Sequence, residues 1–168
     1  MGTSLSQGWT YDANGNRLTQ TGSAASTYTV NSSSNRLSSI SGALTRTYSY
    51  DNSGNMIGDG SATFTYNDAG RMISATKASV TTTYALNALG QRVKKTTSGS
   101  STYFVYDEAG HLVGEYGNSG NLIQETVWLG DMPVATLRPN GSSGVILYYV
   151  HTDHLNTPRL VTDTSNHR

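Results

Sequence analysis

Residues 48 to 60 read YSYDNSGNMIGDG: two tyrosines one residue apart, an Asp directly after them, a Gly three positions later, and then an apolar pair. The alternation of Tyr48 and Tyr50 puts both rings on one face of a strand and Ser49 on the other. Asp51 can open a type I turn because its side chain accepts from backbone N–H groups ahead of it, and Gly54 takes the positive φ of the bulge that closes such a turn. Apolar residues resume at Met56 and Ile57, so the segment is predicted to be a β-hairpin. The rival reading is a calcium loop. Asp12, Asn14 and Asn16 alternate like the first ligands of an EF-hand, but Gly15 falls at the wrong step and no Glu closes the loop.

The same shape returns along the chain. Tyr11-Asp12 with Gly15, Tyr66-Asn67 with Gly70, and Tyr106-Asp107 with Gly110 repeat it, Gly90 follows "LNAL", and Gly120 ends "YGNSG". In "VNSSSNRL" Val30 replaces the tyrosine and Ser34 the glycine, so that turn is expected to be rearranged. Counting Ser34, the intervals are 19, 20, 16, 20, 20 and 10 residues. A period near twenty fits two strands and two turns. The expected layout is a leader at 1–8, hairpins over 9–126 with turns near 12–15, 31–34, 51–54, 67–70, 87–90, 107–110 and 117–120, terminal strands over 127–163, and a tail at 164–168.

Composition agrees with strands. Ser, Thr, Gly and Asn number 76 of 168 residues, a mixture that suits exposed strand faces and turns better than helices. Leu, Ile, Val and Phe number only 30, and eleven Tyr make up part of the apolar deficit. Lys plus Arg and Asp plus Glu balance at 11 each, which leaves no net field to hold a phosphate backbone, so nucleic acid is not an expected partner. With no Cys there are no disulfides or thiolate metal sites. No apolar run reaches membrane-spanning length, and "MGTSLSQGW" does not read as a signal peptide.

"YDANGNRL", "YDNSGNMI", "YNDAGRMI" and "YDEAGHLV" resemble the tyrosine–aspartate (YD) repeats of the RHS family, and "VWLGDMPVATL" and "YYVHTDHLNTPRLVTD" resemble the segments that follow those repeats. The likeness covers roughly residues 9 to 163. It implies a strand-and-turn ribbon coiling into a hollow shell, which in polymorphic toxins encloses a C-terminal toxin domain. The chain stops at "TDTSNHR", before any Asp-Pro-x-Gly-Leu-like autocleavage motif, so it resembles a piece of a core and its Asp residues inherit no protease role.

Chemistry elsewhere is thin. No Gly-x-Ser-x-Gly, P-loop or dinucleotide fingerprint is present. His151, Asp153, His154 and Arg159 form a polar cluster whose types could ligate a metal or shuttle protons, although the match of this segment to the family implies a structural role. Glu115 and Glu125 are the carboxylates a glycosidase would need, by type alone. The tyrosine rows either form cross-strand ladders or present a sugar-stacking surface, and Trp9 and Trp128 are expected as packing anchors.

The expected architecture is all-β: antiparallel hairpins in one coiled, twisted sheet of about fourteen to sixteen strands, by two strands per repeat. The expected function is structural and non-enzymatic, without cofactor or metal, in a secreted or cell-surface bacterial protein. The alternative is an adhesive or carbohydrate-binding module. Partners implied are a C-terminal toxin domain, a glycan in the alternative, and a second copy added head to tail at an open sheet edge.

Overall fold

The computed structural model describes residues 6–141 and 144–164; residues 1–5 of the expected leader and 165–168 of the expected tail lie outside the described residues. Among the described residues there are seventeen strands and no helix, and every described strand pair is antiparallel. The all-β reading holds. The strands fall into two sheets, one of five strands and one of twelve, each in chain order. The chain divides into two compact units, residues 1–81 and 82–168.

The first unit carries β1 (Trp9–Tyr11), β2 (Arg17–Gln20), β3 (Ser26–Val30), β4 (Leu37–Gly42) and β5 (Arg46–Thr47), followed by β6 (Ser49–Tyr50), β7 (Met56–Gly58), β8 (Ala62–Tyr66) and β9 (Met72–Lys77). Two sheets arise where one was expected because the extended run from Arg46 to Tyr50 changes partner. The Tyr48 N–H donates to Ser38 O of β4 at 2.8 Å, the last rung on that side, and one residue later Ser49 pairs with Gly58 of β7. Side chains bind the flanks of this handover: Arg46 Nη1 lies 2.9 Å from Asp59 Oδ2 and 2.8 Å from Ser61 Oγ.

Apolar and polar residues alternate as period two requires. In β8, Ala62, Phe64 and Tyr66 are half-buried while Thr63 and Thr65 are exposed. The turn after β3 departs from its relatives. Asn35, not Ser34, takes the left-handed conformation at φ 56, and its N–H donates to Asn31 O at 3.0 Å. One added residue moves the unfavourable φ onto a side chain that tolerates it.

The hairpin after β9 has the opposite problem. Ala78 and Ser79 both sit at positive φ, 48 and 64, in a two-residue turn that ordinarily selects Asn followed by Gly. The double substitution Ala78→Asn with Ser79→Gly is expected to stabilise the chain by about 1–2 kcal/mol, read as a higher urea midpoint at unchanged slope.

The second unit begins within β10 (Val80–Leu86) and continues through β11 (Arg92–Thr97), β12 (Ser100–Tyr106), β13 (Leu112–Tyr116), β14 (Leu122–Leu129), β15 (Met132–Pro139), β16 (Val145–Thr152) and β17 (Pro158–Thr162). Because successive strands are antiparallel neighbours, turns 87–90, 107–110, 130–131 and 153–156 share one end of this sheet, and turns 98–99 and 117–120 share the other with the end of β15 and the start of β16. The ten-residue interval at Gly120 is thus a repeat-type turn at the opposite end of the strands.

Burial is shallow throughout. Ile40, Phe104 and Ala135 are the buried hydrophobics, at 7–8% exposure, and no side chain among the described residues is fully enclosed. Stability therefore rests on ladders and cross-strand pairs instead of a central core.

Candidate functional site

Apart from the turn after β3, the repeat turns are built the same way. The residue that opens it donates its N–H to the carbonyl four residues on, and its own carbonyl accepts from the residue three on: Asp51 N to Asn55 O at 3.0 Å and Gly54 N to Asp51 O at 3.1 Å. Gly15, Gly70, Gly90, Gly110 and Gly120 occupy the same position after Asp12, Asn67, Asn87, Asp107 and Gly117, all at positive φ.

The opening carboxylates are consumed locally. Asp51 Oδ1 accepts the Asn55 N–H at 2.8 Å, and Oδ2 accepts Asn55 Nδ2 at 2.9 Å. Asp12 holds Asn16 in the same manner at 2.8 Å for both bonds. Asp107 holds His111 through Oδ1 at 2.8 Å and Oδ2 at 2.9 Å. The side-chain bond from the fifth residue is the largest cause holding all three carboxyls below their ordinary range. Oxygens engaged in this way serve the turn, not a cation.

The repeat aromatics reach sideways to the preceding turn. Tyr50 Oη donates to Leu37 O at 2.8 Å, Tyr66 to Met56 O at 2.8 Å, and Tyr106 to Arg92 O at 3.2 Å. Each acceptor is the residue just past the fifth position of the previous repeat turn. Trp128 does the same with its indole, Nε1 to Leu112 O at 3.1 Å, so it stands in for a tyrosine. Trp9, expected as an anchor, is instead 45% exposed. Tyr11 is exposed as well. Guanidinium groups lie over Tyr28, Tyr50 and Tyr84 at 5.5–5.7 Å from the ring centres. Tyr66→Phe removes one such phenol bond while keeping the ring, and is expected to lower stability by about 1 kcal/mol, measured by urea unfolding.

The fifth residue also links neighbouring turns. Asn16 Nδ2 donates to Asn35 Oδ1, Arg36 Nη1 to Asp51 O at 3.3 Å, and His111 Nε2 lies 3.0 Å from Asp131 Oδ1. Sequence reading singles out the first and fourth turn positions and misses the fifth. The signal was present as the series Asn16, Arg36, Asn55, Arg71, Gln91 and His111, all long or polar.

The polar cluster at 151–159 resolves into a further repeat turn. Asp153 N donates to Thr157 O at 3.0 Å, Asn156 N to Asp153 O at 3.0 Å, and Asn156 at φ 60 takes the glycine position. Asp153 Oδ1 caps its own turn through Leu155 N at 2.9 Å and Thr157 N at 3.0 Å. His151 Nε2 pairs with Thr162 Oγ1 at 3.0 Å, while His154 and Arg159 are exposed. Among the described residues no three His, Asp or Glu side chains are grouped to hold a metal.

Glu115 and Glu125 cannot flank one glycosidic bond. Glu115 stands opposite Gln124 and Glu125 opposite Gly114, so the two carboxylates point to opposite faces of the β13–β14 ladder. A cleft of about 600 Å³ lies over one face of β14–β17, with Trp128, Arg138 and Tyr148 among its walls. Arg138 is held there by Gln124 Oε1, at 2.9 Å to Nε and 2.7 Å to Nη2.

The turn row and its sideways aromatics describe a repeat that builds by lateral addition, and the family model of the teneurin YD-shell matches residues 2–168. The chain belongs to the teneurin YD-shell family. Among curated proteins none matches it. The YD-shell chain is similar in fold to the crystal structure of TcdB2-TccC3, at 13% identity and a TM-score of 0.57, covering 94% of this chain and 12% of that one. It is similar also to TcdB2-TccC3-TEV, at 14% identity and 0.54, covering 94% and 11%. The YD-shell chain thus spans about a ninth of the length of these structures. Among the described residues no helix is long and apolar enough to cross a membrane.

Proposed function

We propose that this chain is a non-enzymatic wall segment of an RHS-type shell, which in its parent protein encloses a C-terminal toxin domain and is exported from, or displayed on, a bacterium. The observation that carries this reading is a laterally extendable sheet without an enclosed core: phenols and fifth-position side chains tie each repeat to the one before, and no side chain among the described residues is fully buried. A globular enzyme or lectin of this size would centre on a packed interior. A wall needs lateral continuity and two faces. Family membership supports the reading, as does the fold shared with TcdB2-TccC3. The guanidinium groups over Tyr28, Tyr50 and Tyr84 occupy ring faces that a glycan would need, which weighs against the carbohydrate-binding alternative.

The test is cryo-electron microscopy of the native protein that carries this sequence, captured from its source with an antibody to residues 9–163. The expected result is a closed wall in which one face of these strands lines an enclosed volume holding polypeptide. An open ribbon wetted on both faces overturns the proposal.

A further inference from the structure

At most repeat turns the residue that closes the turn, the fifth or after β3 the sixth, is a neutral amide or a permanent cation: Asn16, Asn55 and Gln91, or Arg36 and Arg71. At the turn before β13 it is His111, whose charge depends on pH near neutrality. Its ring is fixed on three sides. Nδ1 lies 2.9 Å from Asp107 Oδ2 on its own turn, Nε2 lies 3.0 Å from Asp131 Oδ1 on the β14–β15 hairpin, and one face stacks on Trp128 of β14 at 4.5 Å and 20°.

Both ring nitrogens therefore face carboxylate oxygens. Only the protonated ring carries N–H on both, so only the imidazolium can donate to both at once. Loss of the proton turns one lone pair toward a carboxylate, which removes a bond and adds repulsion. Trp128 favours the same charged form through its π face. The charged groups facing the ring are these two carboxylates, and among the described residues no Lys or Arg forms an ion pair with either.

The two arms are not equal. The ring is 17% exposed and Asp107 37%, whereas Asp131 is 88% exposed. Water replaces the Asp131 arm at little cost, while the Asp107 arm is backed by the His111 N–H on Oδ1 at 2.8 Å. The hairpin arm is the one that opens.

We propose that Asp107, His111 and Asp131 form a proton-operated clasp, which ties the Gly130–Asp131 hairpin to the neighbouring repeat turn while His111 is charged and releases it when the charge is lost. The bonds to Asp107 first, and then Asp131, hold His111 above its ordinary 6.5. Its contribution is thus complete below that ordinary value and disappears as pH rises through the raised one. At the acid end it is lost as pH falls through the depressed value of Asp107, below 3.8. The clasp is closed in mildly acidic solution and opens toward alkaline pH.

The experiment is NMR titration of the whole chain, following the ring nitrogens of His111 and amide exchange at Gly130, Asp131 and Met132. The wild type is expected to titrate above 6.5, with a step of about fivefold or more in hairpin exchange, beyond the intrinsic pH dependence, centred on the same midpoint. Asp131→Asn is expected to lower the midpoint and abolish the step. His111→Asn is expected to give an unlatched hairpin at every pH. A His111 midpoint at or below 6.5, a midpoint indifferent to Asp131→Asn, or exchange without a step overturns the proposal. Should His111→Asn fold poorly, Asp131→Asn decides alone, since that side chain is almost wholly in water.

Discussion

Gly42→Ala is expected to destabilise the first unit by about 3 kcal/mol or more, the largest effect of any single methyl added to this chain. Two causes add. Gly42 has φ 111, a conformation that L side chains rarely adopt. A Cβ there would also lie 2.5 Å from Ala25 O and 3.0 Å from Ser26 Cα, backbone atoms at and just before the start of the facing strand. Neither can swing aside as a side-chain tip can. Ala25 O accepts the Ala43 N–H at 2.8 Å, and Gly42 stands opposite Ser26, so making room for the methyl opens the end of the β3–β4 ladder. Gly15→Ala is the control: its φ is 82, and nothing lies within 4 Å of the added carbon. It is expected to cost about 1 kcal/mol, so the difference between the two variants isolates the backbone clash. Equal losses in urea unfolding would show that φ alone governs both sites.

What the sequence makes legible is what local chemistry determines. Tyr50-Asp51 followed by Gly54 implies a strand, a capped turn and a left-handed closing residue, because each is set within a few residues. Recurrence then yields an antiparallel all-β repeat. The turn at Asp153 escaped because Asn156 fills the glycine place, an exchange that Asn permits but that a glycine-based alignment passes over. Ala78-Ser79 gives no turn signal at all; the flanking strands impose positive φ on residues that do not favour it.

The split into two sheets lies deeper. From Arg46 to Tyr50 the alternation is unbroken, and only the competition between Ser38 and Gly58 for successive rungs sets the handover at Tyr48. No local propensity encodes that. The His111 contacts divide in the same way. Its bond to Asp107, four residues back, follows from the turn, whereas those to Trp128 and Asp131 depend on where β14 returns in the sheet.

Gly114→Ala is the counterpart of Gly42→Ala in the second unit, expected to cost about 2 kcal/mol through a side chain instead of a strained φ. Gly114 is buried in β13, and a Cβ there would lie 2.6 Å from Tyr116 Cε2 and 3.0 Å from Cζ. The ring of Tyr116 lies over the bare glycine, and from there its phenol donates to Glu125 Oε1 on β14, directly across the ladder from Gly114. The bond to Glu125 is the largest cause of a tyrosine proton held more firmly than usual. A methyl at Gly114 lifts the ring, and with it the phenol, from its acceptor. Tyr116→Phe removes the same bond without moving the ring, so the two changes share one loss. The double variant is therefore expected to be less destabilised than the sum of the singles by about 0.5–1 kcal/mol. Strict additivity would mean that Gly114 serves packing alone, and that the glycine under Tyr116 is unrelated to the reach toward Glu125.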